Sequence, residues 1–225
     1  RSTIIGESLS RLLEFLGHKV IRDNHLGDWG TQFGILLYAI KREKVTLDDL
    51  GPAPITKLEN LYRQGNTWIK EEESNLVQAR EELVKLQNGD SENLVLWEKI
   101  REISMNSFLS IYDMLGVRFD YSHGESFYKD KIDPVYEQLL THKICNESEG
   151  ALVVFHPEHK RFAKQPFIIR KSDGVSNYAT TDLATVDFRK NEWESDQIIY
   201  VTDSRQRDHF EQLFLTVQKW YSAEK

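Results

Sequence analysis

The sequence predicts an α/β protein whose middle part is mainly helical. Three observations predict this class. A helix, a short β-branched strand, a glycine-rich turn and a second helix follow one another within residues 1–42. Two long, highly charged helical patterns occupy residues 57–115. After Gly116, short strands alternate with helices.

Composition restricts the class of protein. The chain has 225 residues, 40% hydrophobic and 29% charged, and is long enough to bury a core. The chain has 29 Lys and Arg and 36 Asp and Glu, which gives a net charge of −7. This charge does not indicate a nucleic-acid-binding protein, although a local basic face is compatible with it. A single cysteine, Cys145, excludes an intrachain disulfide, and the seven His show no zinc-like spacing, so we predict no metal site. No apolar run reaches the roughly 18 residues of a membrane-spanning helix, and no signal-peptide pattern opens the chain, so we expect an intracellular protein without a membrane partner.

The first predicted helix ends near Gly17, and its apolar residues recur at helical spacing: Leu9, Leu12, Leu13 and Leu16. The β-branched stretch "HKVIRDNH", residues 18–25, is typical of a strand. A second helix follows, and we expect Asp28 to cap it. The apolar stripe of that helix consists of Phe33, Leu36, Leu37 and Ile40.

The turn between this strand and helix is unusually rich in polar and special residues. Gly27 and Gly30 allow backbone geometries or close approaches that a Cβ would hinder, and Asp28 and Trp29 lie between them. In parallel α/β sheets, ligands bind at the carboxyl ends of strands and at helix N-termini. The turn is therefore predicted to shape a site. The alternative is a capped turn with a packed Trp.

The middle block is predicted to be two helices. One runs from about Lys57 to Leu86 and the other from about Asn93 to Leu115, with the turn and capping residues 88–93 between them. The "GPAP" stretch, residues 51–54, is a plausible hinge into this block. The acidic run "KEEESN", residues 70–75, is interpreted as a solvated helix face.

The last part of the chain is predicted to contain a helix after Pro134 and a strand–turn–strand over residues 150–174. The turn carries Lys160, Arg161 and Lys164, which form either a phosphate-binding edge or an ordinary solvated hairpin.

Two polar segments near the end follow predicted strands. Tyr178 and Asp182 are four residues apart at the start of a predicted helix, and the apolar strand 198–201 leads into "TDSRQRDH". A carboxylate beside a Tyr and a Gln suits a planar cation, because the carboxylate matches a guanidinium with two parallel hydrogen bonds. The alternative is that Asp182 and Asp203 are helix caps.

Four blocks resemble, in order, the catalytic domain of class I arginyl-tRNA synthetases. The blocks are residues 1–34, "GESFY", "KSDGVSNYATTDLAT" and "IYVTDSRQRDHFEQLF", and the resemblance extends from Arg1 to about Phe214. It implies a Rossmann-type catalytic domain with a largely helical connective insertion. The first Rossmann half would be residues 1–50, the insertion 51–165 and the start of the second half 166–225.

The resemblance also implies an activity and its residues. Such enzymes form arginyl-adenylate from L-arginine and ATP with Mg²⁺, and then transfer arginine to its tRNA. By position in the family motifs, Tyr178, Asp182 and Gln206 would hold the arginine side chain and His209 would lie near the nucleotide. The turn formed by Gly27, Asp28, Trp29 and Gly30 would lie near the active site. We expect a monomer in the cytoplasm or in an organelle.

The chain departs from the family pattern at both ends. The family's His-x-Gly-His signature would precede Arg1, and its Lys-rich loop and anticodon-binding domain would follow Lys225. We therefore expect the middle part of a ligase, inactive on its own, because the preorganised groups that bind ATP would be incomplete. Two alternatives are a non-catalytic relative that binds arginine, and a protein-interaction module built on the long helical pair.

Overall fold

The computed structural model describes residues 1–172 and 178–223, without the side chains of residues 49 and 178. The described helices are α1 (Ser2–Phe15), α2 (Thr31–Arg42), α3 (Pro54–Glu71), α4 (Glu73–Gln87), α5 (Ser91–Leu115), α6 (Ile132–Thr141), α7 (Tyr178–Asn191) and α8 (Arg207–Ala223). The described strands are β1 (Asn146–Ser148), β2 (Ala151–Val154) and β3 (Phe167–Arg170). Among the described helices, none combines the length and the apolar character that crossing a membrane requires.

The chain divides into two compact units. One comprises Val20–Gly124 and is called the helical unit, and the other comprises Arg1–Lys19 with Glu125–Lys225 and is called the mixed unit. These bounds differ from the predicted boundaries at 50/51 and 165/166, because α2 packs against α3 and α4 in one cluster. The division into two Rossmann portions and an insertion stays a prediction.

The helical unit is built around α2. All of residues 34–40 on this helix are buried, so the helix is covered on every side by its neighbours. Gly34 allows α4 to approach closely, since a Cβ there would lie 2.4 Å from the carbonyl oxygen of Ala79. The core of the unit includes Leu37, Leu86 and Ile100.

The predicted long helix from Lys57 to Leu86 is wrong: the structure has two helices there. Glu72 is extended, with φ −146° and ψ 127°, and separates α3 from α4. The side chain of Asn75 stabilises this break, since it accepts a hydrogen bond from the Tyr38 hydroxyl (2.7 Å) and donates one to the Trp68 carbonyl (2.9 Å). The acidic run is therefore a helix junction: residues 70–74 are exposed, as predicted, whereas Asn75 is buried.

The mixed unit has a three-stranded antiparallel sheet in the order β1-β2-β3. Helices α6, α7 and α8 pack with the sheet around one apolar core. This core includes Leu139, Leu152, Leu183 and Trp220. The predicted helix after Pro134 and the predicted strand–turn–strand are confirmed as α6 and as β2 and β3.

Two predicted strands do not form within the described residues. Residues 18–25 make only an isolated bridge, between Asp23 and Tyr121. Residues 198–201 have no strand partner, although Ile198 and Tyr200 pack on the core of the mixed unit. Both stretches contain the β-branched and apolar residues typical of strands, but a strand also needs a neighbouring strand to pair with, which the local sequence does not specify.

Candidate functional site

The centre of the candidate site is a carboxylate–imidazole pair in the mixed unit. Asp182 lies on α7, four residues after the helix begins at Tyr178, and is 7% exposed. Its Oδ2 is 2.5 Å from Nε2 of His209, which lies near the start of α8. A buried carboxylate is costly unless it is paired, and this contact supplies a charge-assisted partner. Asp182 is thus a buried, paired side chain within α7 and not a helix cap.

Aromatic rings surround the imidazole of His209. Its ring centroid is 5.7 Å from that of Phe167 on β3 and 5.1 Å from that of Phe210, which meets it edge-on. Phe210 in turn packs against Tyr200 at 4.8 Å. The pair therefore lies beside an apolar wall, where the local dielectric is lower and charge–charge interactions are stronger.

Tyr200 extends this wall toward a second buried charge. The Arg189 guanidinium lies 5.3 Å from the centre of the Tyr200 ring, and Arg189 itself is buried on α7. The Tyr200 hydroxyl is buried. Burial raises the pKa of Tyr200; the Arg189 charge opposes this rise and the charge of Asp182 adds to it. The phenol is consequently neutral at physiological pH.

The other residues predicted to bind arginine are Tyr178 and Gln206. Tyr178 is the first residue of α7, one turn before Asp182, and its side chain lies outside the described residues. Gln206 ends the 3₁₀ turn Ser204–Gln206 with an exposed side chain. Asp203 is a cap, as the alternative interpretation held, since it accepts a hydrogen bond from the Arg205 backbone N–H (3.0 Å). Hydrogen bonds from the side chain and backbone of Arg205 lower the pKa of Asp203.

The turn at residues 27–30 belongs to the helical unit, and the prediction that Asp28 caps α2 is wrong. The N-cap is Gly30, in the extended region, without a side-chain cap. Asp28 is buried instead, with Oδ2 3.2 Å from Nε of Arg101. Its carbonyl oxygen accepts a hydrogen bond from the indole N–H of Trp97 (2.6 Å). Long-range partners on α5 outcompete the local capping bond.

An edge-to-face contact between two Trp rings completes the attachment of this turn to α5. Trp29 is 5% exposed and meets Trp97 edge-on, with ring centroids 5.1 Å apart. Gln87 donates a hydrogen bond to the Trp29 carbonyl (3.2 Å), and Gly27 is exposed. The polar turn is therefore held by packing and partly buried hydrogen bonds, and its role near an active site stays a prediction.

The basic side chains between β2 and β3 differ in their surroundings. Arg161 pairs with Glu211 and with Asp208 on α8, the latter at 2.9 Å. Lys160 and Lys164 are exposed. Of the three residues predicted to contact phosphate, Arg161 thus pairs with acidic side chains of the mixed unit, whereas Lys160 and Lys164 are exposed.

His156 and Glu125 are among the buried titratable residues that were not singled out from the sequence. His156 is fully buried, with Nε2 3.1 Å from the hydroxyl of Thr216, and burial lowers the pKa of its imidazole. Glu125 is buried at the start of a 3₁₀ segment that packs against α7. The position of Glu125 in the "GESFY" block was the available signal.

Comparison with known proteins places this fold in a class. Residues 1–224 match the family model described as "tRNA synthetases class I (R), catalytic domain". The fold is therefore that of the class I aminoacyl-tRNA synthetase catalytic domain, present here as an α/β structure with mostly helices and a small sheet. Within that class, the chain belongs to the arginyl-tRNA synthetase family, as the four sequence blocks predicted.

Individual relatives agree with this assignment. The chain is 42% identical over 214 residues to the arginine–tRNA ligase of Fusobacterium nucleatum and 43% identical over 218 residues to that of Pseudomonas entomophila. Each match covers 95% of this chain but 37% of the relative. The arginyl-tRNA synthetase structure from Plasmodium falciparum superimposes with a TM-score of 0.76 and 32% identity, covering 96% of this chain and 36% of that one. The chain thus spans little more than a third of the length of these relatives.

Proposed function

We propose that this chain is the part of an arginine–tRNA ligase that recognises L-arginine, within an enzyme that forms arginyl-adenylate from arginine and ATP and passes arginine to its tRNA. The observation that carries the proposal is the family match over residues 1–224, in which Asp182 is a buried carboxylate near the start of α7. A monomeric state and a cytoplasmic or organellar location are expectations from the sequence that belong to the same proposal.

Asp182 is the residue we assign to the arginine side chain. A guanidinium can donate two parallel hydrogen bonds to one carboxylate, so a buried Asp recognises both its charge and its plane. A lysine ammonium carries the same charge but lacks the planar fork, and citrulline has a similar shape but no charge. When the wrong ligand leaves a buried charge of the pocket without a partner, the binding free energy is much less favourable, so the enzyme rejects that ligand strongly. Tyr178 and Gln206 are proposed as further contacts of the same ligand.

ATP and tRNA enter the proposal through the family alone. Among the described residues, no group of three or more His, Cys, Asp or Glu side chains is placed to hold a metal ion. We therefore assign Mg²⁺ to the ATP phosphates, which are its usual ligands in nucleotide-dependent enzymes. The exposed Lys160 and Lys164 are the proposed contacts to tRNA phosphates.

The proposal is tested by arginine binding to the 225-residue chain. Isothermal titration with L-arginine, L-lysine and L-citrulline should give a measurable Kd for arginine only. Asp182→Asn removes the charge and keeps the shape, and we expect a loss of about hundredfold or more, as for one partner of a buried ion pair. Asp187→Asn is the matched control on the same helix, because Asp187 bonds to Asn191 and Tyr221 instead. Absence of arginine binding, or equal loss in the two variants, would contradict the proposal.

A further inference from the structure

We propose that Tyr136 is a positioning residue for arginine recognition, whose hydroxyl fixes the start of α7 against β3. Tyr178 and Asp182, which are both assigned to the arginine side chain, lie on the first five residues of α7. Tyr136 itself lies on α6 and acts through α7 rather than on the ligand. The inference rests on the proposed function, because it concerns how the same recognition site is held in place.

Three elements of the mixed unit meet at one backbone carbonyl oxygen, that of Ile169 on β3. The Tyr136 hydroxyl, from α6, donates a hydrogen bond to this oxygen (3.1 Å), and the Thr180 hydroxyl, from α7, donates a second one. The two hydroxyl oxygens lie 3.0 Å apart. A carbonyl oxygen has two lone pairs and can accept both bonds. All three residues are buried, so the low local dielectric strengthens this contact.

The Ile169 carbonyl belongs to a β-bulge. Val153 of β2 lies opposite Ile168, and the next pair joins Leu152 to Arg170. Ile169 is therefore the extra residue of β3. A bulged residue lies outside the regular ladder of backbone bonds, and its buried polar groups need other partners. The bulge thus explains why hydroxyl groups from two different helices converge at this point of the core.

Apolar packing alone specifies the rotation of α7 weakly. All of residues 179–186 are buried, so this part of the helix is covered on every side. Directional hydrogen bonds between buried polar groups select one arrangement where apolar contacts permit several. Thr180 lies two residues after Tyr178 and two residues before Asp182. The bond at Thr180 therefore fixes the backbone that carries both proposed arginine contacts.

Arginine recognition is sensitive to the position of this backbone. A carboxylate binds a guanidinium through two parallel hydrogen bonds when the two planes are aligned. Such a site must be held within about 0.5 Å and about 10–20° of its productive geometry. Loss of one buried hydrogen bond that holds the start of α7 is therefore expected to weaken arginine binding about five- to tenfold.

The ring of Tyr136 has a contact of its own that does not involve the hydroxyl. The Arg170 guanidinium lies 5.6 Å from the centre of this ring, in a cation–π contact. Burial raises the pKa of Tyr136, although Thr180 and Arg170 oppose this rise, so the hydroxyl keeps its proton and remains a donor at physiological pH. Tyr136→Phe removes the hydroxyl and keeps the ring, while the Ile169 carbonyl keeps its bond from Thr180. We therefore expect this variant to fold.

Isothermal titration with L-arginine compares the wild-type chain with Tyr136→Phe and Tyr221→Phe. Tyr221→Phe is the matched control, because it also removes a tyrosine hydroxyl that contacts α7, but at Asp187 in the second half of the helix (3.4 Å). We expect Tyr136→Phe to raise the Kd about five- to tenfold and Tyr221→Phe to change it by less than about twofold. Urea unfolding of each variant measures any general loss of stability.

Two variants of Thr180 separate positioning from stability. Thr180→Ser keeps the hydroxyl but removes a buried methyl group, so it should lower the urea midpoint and leave the Kd within about twofold of the wild-type value. Thr180→Val keeps the shape but removes the hydroxyl, so the Kd should rise about as much as in Tyr136→Phe. If the contact were merely structural, the Kd would follow the urea midpoint in both variants.

Three results would overturn the positioning role while leaving the proposed function in place. These are a wild-type Kd in Tyr136→Phe, an equal rise of the Kd in Tyr221→Phe, and a Kd that rises as much in Thr180→Ser as in Thr180→Val. In each of these cases, Asp182→Asn would still lose arginine binding. Absence of arginine binding by the wild-type chain would overturn both proposals.

Discussion

Gly124 is the position at which a single added methyl group should be most informative. A Cβ there would lie 2.3 Å from Oδ1 and 2.4 Å from Oδ2 and Cγ of Asp28, whereas ordinary contacts of a Cβ begin at 3.4 Å. In Gly124→Ala, the buried carboxylate must therefore move by about an ångström, away from the position in which it meets Arg101 at 3.2 Å.

The expected cost follows from two known effects. Overpacking a close-packed site costs about 1–3 kcal/mol, and breaking a buried ion pair costs about 3–5 kcal/mol. The Arg101 side chain is 36% exposed, so solvent screens part of the second effect. We expect Gly124→Ala to lower the free energy of unfolding by about 2–3 kcal/mol.

Urea unfolding followed by tryptophan fluorescence measures this loss, because Trp29 and Trp97 lie beside Asp28. Gly6→Ala is the control, since a Cβ on that helical glycine would meet only Val201 at 3.9 Å and should be neutral or slightly stabilising. In an Asp28→Ala background, Gly124→Ala should cost less than about 1 kcal/mol, because the obstructing carboxylate is gone. A loss below about 0.5 kcal/mol in the wild-type background, or an unchanged cost without Asp28, would refute the reasoning.

Two further predictions concern stability. Burial lowers the pKa of His156, so this residue binds a proton more readily in the unfolded chain than in the folded one. The stability that His156 supplies is therefore present above about pH 6.5, the pKa of an unperturbed histidine, and is lost as the pH falls below that value. Unfolding measured from pH 8 to 5 should give a steeper acid loss in the wild type than in His156→Gln, and equal slopes would contradict this account. Asp90 caps α5 by accepting a hydrogen bond from the Asn93 backbone N–H (3.0 Å), so Asp90→Ala should cost about 1 kcal/mol, while Asp90→Asn, which keeps a capping oxygen, should cost a few tenths at most. Equal losses in the two variants by urea unfolding would mean that the cap contributes little.

The helix that carries Asp182 was predictable because its formation depends on local sequence. Asp182 was found from a short motif at a predicted helix start, and its helix forms as expected. The pairing of Asp182 with His209 was not predicted, since the two residues are 27 positions apart and meet only when α7 packs against α8. A sequence motif indicates which residues are candidates for a site, whereas the packing of the helices determines which of these residues are in contact.

By itself, the sequence determined the features that short-range physics controls. Asp90 caps α5, and Gly116 ends it in the left-handed region at φ 63°, where glycine is favoured. The family and its four motif blocks were also readable without coordinates. The cap and the helix end each depend on residues within a few positions of one another, and the family is readable from the identity and order of the blocks along the chain.

Only the tertiary structure decided where long-range partners override local preference. Asp28 has the residue type and position of a helix cap, but Arg101 and Trp97 bind it some seventy residues away in sequence. The stretch 198–201 has the pattern of a strand but packs its side chains on the core without a backbone ladder. A capping bond or a strand propensity is worth only about 1 kcal/mol, so a buried ion pair or a packed core easily outweighs it.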